Sequence, residues 1–317
     1  MTPGYFGKLP GFDDFIRYNS SSAEVAEFDQ WLQEGLYFAK DHFKQEWGTA
    51  YRVSPKYHFL FPSENSKRML LGVFRPSFDQ TEREYPFIVS LNVDREVLQD
   101  SEQIWLPLLY TQFFQEAQEI VDRAFNSEKM NGVVERLESI DLDTNRQDSC
   151  SHRFQEYLET TTLEDWFTQL FGNFYDIRKY LLYKNLTDII LPLRGQDLGR
   201  ISLGLRFPLS AEINALYNDV SLWIQMTRHL LRNETFVPTL FWTFPGENEQ
   251  NFLFLFFRQP QSSVFVPLIQ NPAQHDHICQ LEMDGLAELT DNAKNAVQNR
   301  SLLENGNLFL KDFLNQL

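Results

Sequence analysis

The sequence predicts an α/β (α+β) protein of two related halves, each a mixed, mainly antiparallel sheet flanked by helices. Two observations carry this expectation. Short runs rich in aromatic and β-branched residues are interleaved with amphipathic helical stretches. One helix-plus-hairpin stretch also partly repeats: His58–Ser77 laid on Phe241–Pro260 without gaps matches Phe61 to Phe244, Pro62 to Pro245, Glu64 to Glu247 and Asn65 to Asn248. The same alignment matches Leu70 to Leu253, Phe74 to Phe257 and Arg75 to Arg258, and each segment follows a Trp-bearing helix, at Trp31 and at Trp223. Duplication and convergence on a common strand–turn–strand pattern both account for this.

The chain opens with Gly4-Tyr5-Phe6-Gly7-Lys8-Leu9-Pro10-Gly11-Phe12-Asp13-Asp14-Phe15-Ile16-Arg17, which reads as a short strand bending sharply into a fixed loop. Ser21-Ser22-Ala23-Glu24 offers a capping box to a helix whose apolar face carries Phe28, Trp31, Leu32, Leu36, Ala39 and Phe43. Strands are expected at Tyr57–Phe61, Arg68–Phe74 and Tyr85–Val93, and a long helix from about Ser101, with Pro107 in its first turns. The polar run Asp141–Ser151 marks a boundary, dividing the chain into 1–142 and 152–317. Beyond it, helices are expected at about His152–Phe171 and Tyr175–Tyr183, strands at Asp188–Leu193 and Ile201–Phe207, and a helix from Ser210 through Trp223. Strands at Val237–Phe244, Phe252–Phe257 and Val264–Leu268 follow, with closing helical segments between about Leu286 and Leu314.

Composition narrows the function classes. With 43% hydrophobic and 15% aromatic residues, 29 of them Phe, the 317-residue chain buries a large core. A formal net charge of −16 argues against nucleic acid and anionic membranes, which demand clustered Lys and Arg, and suits a basic patch on a protein partner. Neither a signal peptide nor an apolar run of membrane-spanning length is evident, and Cys150 and Cys279 read as two thiols of a reducing compartment. A soluble, cytoplasmic protein is expected.

The scan for chemistry returns little. Gly195-Gln-Asp-Leu-Gly199 lacks phosphate-loop spacing and reads as a hairpin turn. His275-Asp276-His277-Ile278-Cys279 is the one dense ligand cluster; His275, His277 and Cys279 would share one face of an extended segment, yet a closed zinc site needs four ligands. A metal-dependent hydrolase using that cluster is the alternative function. Adjacent Asp13 and Asp14 point opposite ways on an extended chain, which disfavours an acid–base pair, and Lys8 and Arg17 nearby suggest ion pairing. In Arg75–Pro86, Asp79 and Arg83 read as a loop-pinning salt bridge or, alternatively, as a partner contact. Thr162 followed by Glu164 and Asp165 reads as a helix cap. No cofactor is indicated.

The opening run and three further motifs resemble the TagF (ImpM-type) family of bacterial type VI secretion accessory proteins, in its longer variety. The matching residues are Gly4 through Pro10 with Asp14-Phe15, then Asp29-Gln30-Trp31-Leu32, then Tyr51 with Ser54-Pro55-Lys56-Tyr57-His58-Phe59, and Pro76-Ser77-Phe78-Asp79-Gln80-Thr81-Glu82-Arg83-Glu84-Tyr85-Pro86-Phe87. Asp13 and Glu82 stand where the family has Gly, and Tyr57-His58 where it has Trp-Arg. The resemblance implies a cytoplasmic, non-enzymatic, post-translational repressor of type VI secretion that binds the Fha scaffold, a protein with a forkhead-associated domain. Lys8, Asp14, Arg17, Asp79 and Arg83 are the expected partner-binding residues. Neither the oligomeric state nor the half that meets the partner follows from the sequence.

Overall fold

Runs such as Tyr57–Pro62 and Asn251–Phe256 hold almost no polar residues, the pattern of strands covered on both faces. The computed structural model, which describes residues 2–97, 100–142, 147–244, 250–270, 276–283 and 300–317, bears this out. Its strands are β1 (Pro3–Gly7), β2 (Ile16–Tyr18), β3 (Tyr57–Pro62), β4 (Arg68–Arg75), β5 (Phe87–Asp94), β6 (Gly204–Leu209), β7 (Thr239–Thr243), β8 (Asn251–Phe256) and β9 (Ile278–Gln280). Among the described residues they form one nine-stranded sheet, ordered β2-β1-β5-β4-β3-β7-β8-β6-β9. All neighbours are antiparallel except β6 and β9. The expected mainly antiparallel α/β architecture is present, and both segments contribute their strands to a single sheet. They meet where β3 pairs with β7, from Tyr57↔Thr243 to Leu60↔Leu240.

Alternation along the strands sends side chains to the two faces of the sheet. Phe59, Phe61, Phe241, Phe252, Phe254 and Phe256 turn to one face, under α1 (Ala23–Phe43), α2 (Trp47–Arg52) and α10 (Phe265–Gln270). Leu60, Met69, Leu71, Leu240, Leu253 and Leu255 turn to the other, with α4 (Thr111–Phe125), α6 (Gln147–Thr160), α7 (Leu163–Phe171), α8 (Arg178–Ile190) and α9 (Ile213–Leu231). Each such side chain contributes roughly 1.5–3 kcal/mol on burial. Ring stacking adds to this: Phe28 lies 4.3 Å from Phe59, and Trp31 lies 5.1 Å from Phe241 across the junction of the segments. Trp31 Nε1 also donates to Pro260 O at 2.9 Å, so α1 is tied to the C-terminal segment by polar and apolar contacts together.

The helix caps follow the sequence. Ser22 Oγ accepts from Val25 N at the start of α1, and Thr162 and Asp165 form a reciprocal capping box on α7.

Several expectations are corrected. Asp188–Leu193 is the end of α8 and a 3₁₀ turn, because Ile190 completes a helical face with Leu186 toward the core. The Val264–Leu268 run is likewise a 3₁₀ turn leading into α10, which seats Phe265, Leu268 and Ile269 on the α1 face. Short apolar runs fit either period, and packing decides. Without a preceding strand the Gly195–Gly199 turn is no hairpin. The helix expected from Ser101 breaks at Tyr110 into α3 (Leu106–Leu109) and α4. The polar boundary run is helical from Gln147 onward, with Cys150 buried.

The aligned hairpins β3–β4 and β7–β8 lie side by side in the sheet, but α1 and α9 cover opposite faces. Leu70 and Phe74 point toward α1, whereas the aligned Leu253 and Phe257 point toward the face of α9. The aligned Pro245, Glu247 and Asn248 lie outside the described residues.

Candidate functional site

The opening motif and the Pro76–Pro86 loop are distant in sequence and adjacent in space. β1 ends at Gly7, whose φ is +128° and where an added Cβ would stand 2.1 Å from Pro86 O; only glycine lets the two loops approach. Beyond it, Gln80 N donates to Phe12 O at 3.0 Å, and Gln80 Nε2 to Gly11 O at 3.1 Å. Arg83 Nη2 donates to Asp13 O at 2.8 Å. Backbone groups thus zip one loop to the other.

Asp79 sits at the centre, fully shielded from solvent. Its Oδ1 accepts from Thr81 N, Thr81 Oγ1 and Arg83 N at 3.0, 2.8 and 3.0 Å. Its Oδ2 accepts from Arg83 Nε at 2.8 Å and from Lys8 Nζ at 2.9 Å. Desolvation raises the carboxyl's pKa, but the hydrogen bonds from Lys8, Thr81 and Arg83 outweigh it and hold the group far below the usual carboxylate range. The expected Asp79–Arg83 bridge is present, and Lys8 makes it a clasp between loops. Cations on two strands of chain and a ring of neutral donors together satisfy a charge that burial alone would penalise.

The remaining expected residues lie around this clasp. Asp14 is 83% exposed; its Oδ1 accepts from Phe15 N at 2.7 Å and stands 3.8 Å from Arg83. Arg17 lies over the Phe15 ring at 4.8 Å and 3.6 Å from Asp29, which also accepts from the Tyr85 hydroxyl. Lys8 is largely covered, at 14% exposure, and Arg83 is about half exposed. Glu82 takes φ +62° and pairs with Arg52 at 3.4 Å. Outward, then, the clasp presents Asp13, Asp14 and Glu82, all exposed acids, with Arg83 between them.

Other buried ionisable groups escape sequence reasoning. Asp219, wholly buried on α9, accepts from Ser210 N at 2.9 Å, Tyr157 Oη at 2.9 Å and Trp166 Nε1 at 3.1 Å. Desolvation pushes its carboxyl up to about 6 against those three hydrogen bonds. Arg206 and Glu282 form a buried pair at 3.4 Å. Both had a signal: Asp219 falls on the apolar stripe of Leu216, Val220 and Trp223, and Arg206 interrupts the run Leu205–Leu209. A charged residue inside an apolar pattern announces a buried, partnered charge.

The metal reading finds no footing. His275 lies outside the described residues, and Cys279 is in β9, partly buried as a free thiol. Among the described residues no three His, Cys, Asp or Glu are grouped so as to hold a metal ion, and no helix is long and apolar enough to cross a membrane.

Comparison with known proteins places the N-terminal segment. Residues 4–140 match the family described as TagF N-terminal domain, type VI secretion system-associated. A crystal structure of PA0076 from Pseudomonas aeruginosa PAO1 is similar over 44% of this chain at 21% identity, with a TM-score of 0.39. The matched region spans 63% of that protein, under two thirds of its length. No protein of curated function matches the chain.

Proposed function

We propose, from the match of residues 4–140 to the type VI secretion system-associated TagF N-terminal domain family, that the protein is a non-enzymatic, post-translational repressor of that secretion. In this reading it binds the forkhead-associated scaffold and so blocks assembly or firing of the apparatus. The observation that supports it is the clasp. Two family-like motifs, Gly4–Phe15 and Pro76–Phe87, converge on buried Asp79 and hold a rigid acidic rim toward solvent. Lys8 and Asp79 are the frame, and Asp14, Arg17 and Arg83 meet the partner. A preorganised rim spares the ordering cost that a loose loop would incur on binding, and its charge complements a basic patch.

Overexpression in a bacterium with active type VI secretion, with capture of the forkhead-associated scaffold on the tagged chain, tests this. The expected result is reduced effector release together with scaffold recovery; unchanged release and no scaffold overturn it. Charge reversal of the exposed acids, Asp14→Lys with Glu82→Lys, separates frame from contact. It is expected to abolish scaffold recovery while leaving the thermal midpoint within about 2 °C.

A further inference from the structure

A cavity of about 670 Å³ opens where the family-matched segment meets the C-terminal one. Ala50 of α2 and Val53, the residue that ends it, wall one side, and Phe252 of β8 and Ile269 of α10 the other. That volume lies in the range of ligand pockets, which favour such junctions and combine apolar walls with a few convergent polar groups. Here the polar lining residues are Arg206, itself 6% exposed, with Glu46, Thr49, Gln250 and Gln270.

The charges say what the cavity excludes. Arg206 is already neutralised by Glu282, its guanidinium is stacked over Phe252 at 4.8 Å, and Glu46 adds a negative charge at the solvent-exposed side. An anionic ligand would gain one half-spent cation and meet the Glu46 carboxylate. Hydrogen bonding is what stays incomplete: the Arg206–Glu282 contact is long, at 3.4 Å, and Arg206 Nε, sealed from solvent, has no hydrogen-bond partner among the described residues. A buried guanidinium held by one long ion pair favours an uncharged acceptor arriving with apolar bulk. A peptide segment supplies both, as a backbone carbonyl and an aliphatic side chain.

We propose that this cavity receives an uncharged, apolar peptide segment of a partner protein, its carbonyl accepting from Arg206 and its side chain lying between Val53 and Ile269. The inference rests on the reading that the chain docks a protein, and gives that reading a second contact. α2 joins the two: Tyr51 Oη accepts from Ser77 N at 3.2 Å and Arg52 pairs with Glu82, so the same short helix borders the clasp and the cavity.

The test is a methyl NMR titration of the full chain, labelled at Ala, Val and Ile, with N-acetyl-leucine-N-methylamide as the neutral probe and N-acetylleucine as its anionic counterpart. Saturable shifts at Ala50, Val53 and Ile269 are expected from the neutral probe at millimolar concentration, about tenfold stronger than from the anion. Val53→Glu, at an exposed position, is expected to remove them while distant methyls keep their shifts. Silence with the neutral probe, tighter binding of the anion, or an undiminished response in Val53→Glu each overturn the proposal. Scaffold recovery by the unaltered chain is scored separately, so a failed cavity does not pass for a failed repressor.

Discussion

Among the described residues two aspartates, Asp79 and Asp219, are fully buried, and the structure treats them oppositely. Asp79, in the clasp, lies just beneath the surface between Lys8 and Arg83, and its carboxyl is held well below the usual range. Asp219, in the helical layer, accepts from three neutral donors and is pushed up to about 6 by desolvation. Burial is common to both, so burial alone does not decide protonation. The charge of the donors and the depth of the site decide it. The clasp locks an ionised group to fix two loops; the helical layer uses a carboxylate as a polar hub joining α6, α7, α9 and the end of β6.

Removing each hub should give the largest contrast. Asp219→Ala leaves the N–H groups of Trp166 and Ser210 and the Tyr157 hydroxyl without their acceptor in the interior, and a loss of about 3–5 kcal/mol is expected in denaturant unfolding. Asp79→Ala strips five donors of their acceptor, but Lys8 and Arg83 can turn to water, so about 2–3 kcal/mol is expected. Hydrogen exchange should then accelerate at Gln80, whose amide bridges to Phe12 O. Equal losses in the two variants would mean that depth does not matter here.

The pH dependence should have opposite signs. Asp79's folded pKa lies below its unfolded value, near 3.9, so its stabilisation is complete above that pH and fades as acid protonates it. Asp219's folded pKa lies above its unfolded value, so it costs stability at pH 7 and that cost is relieved as pH falls from about 6 toward 4. Against Asp219→Asn, whose stability lacks this titration, the native chain should gain on the order of 2–3 kcal/mol between pH 7 and pH 4. A flat difference across that window would remove the distinction between the sites.

The smallest effect concerns the clasp's own strain. Glu82 holds a left-handed conformation that an L side chain adopts at a cost and glycine adopts freely. Glu82→Gly should raise stability by about 0.5–1 kcal/mol, net of a surface pair with Arg52 worth little. A fall in the unfolding midpoint would show that the Arg52 pair outweighs the strain.

Local chemistry explains which parts of the molecule were legible. Caps at Ser22 and Thr162 are signals of three or four residues, and they appear as expected. The paired strands Arg68–Arg75 and Phe87–Asp94 carry enough β-branched and aromatic residues to be recognised within two or three positions. Asp188–Leu193 and Val264–Leu268 misled because a run of five or six apolar residues satisfies either period, and the helix they join was settled by distant neighbours. At the candidate site the Asp79–Arg83 bridge, four residues apart, was readable; the arrival of Lys8 was not.

The α/β class with its mainly antiparallel strands, the family-like motifs, the caps and the acidic balance are all properties of composition or of neighbouring residues, and so stand in the amino-acid order. Long-range packing is what brings both segments into one sheet, sets α1 and α9 on opposite faces, and lets Gly7 admit Pro86 so that Lys8 reaches Asp79. It also set Arg206 against Glu282 and gave Asp219 its three donors. Those outcomes depend on burial and on contacts between residues far apart along the chain, and desolvation is a property of the folded surroundings that no local pattern carries.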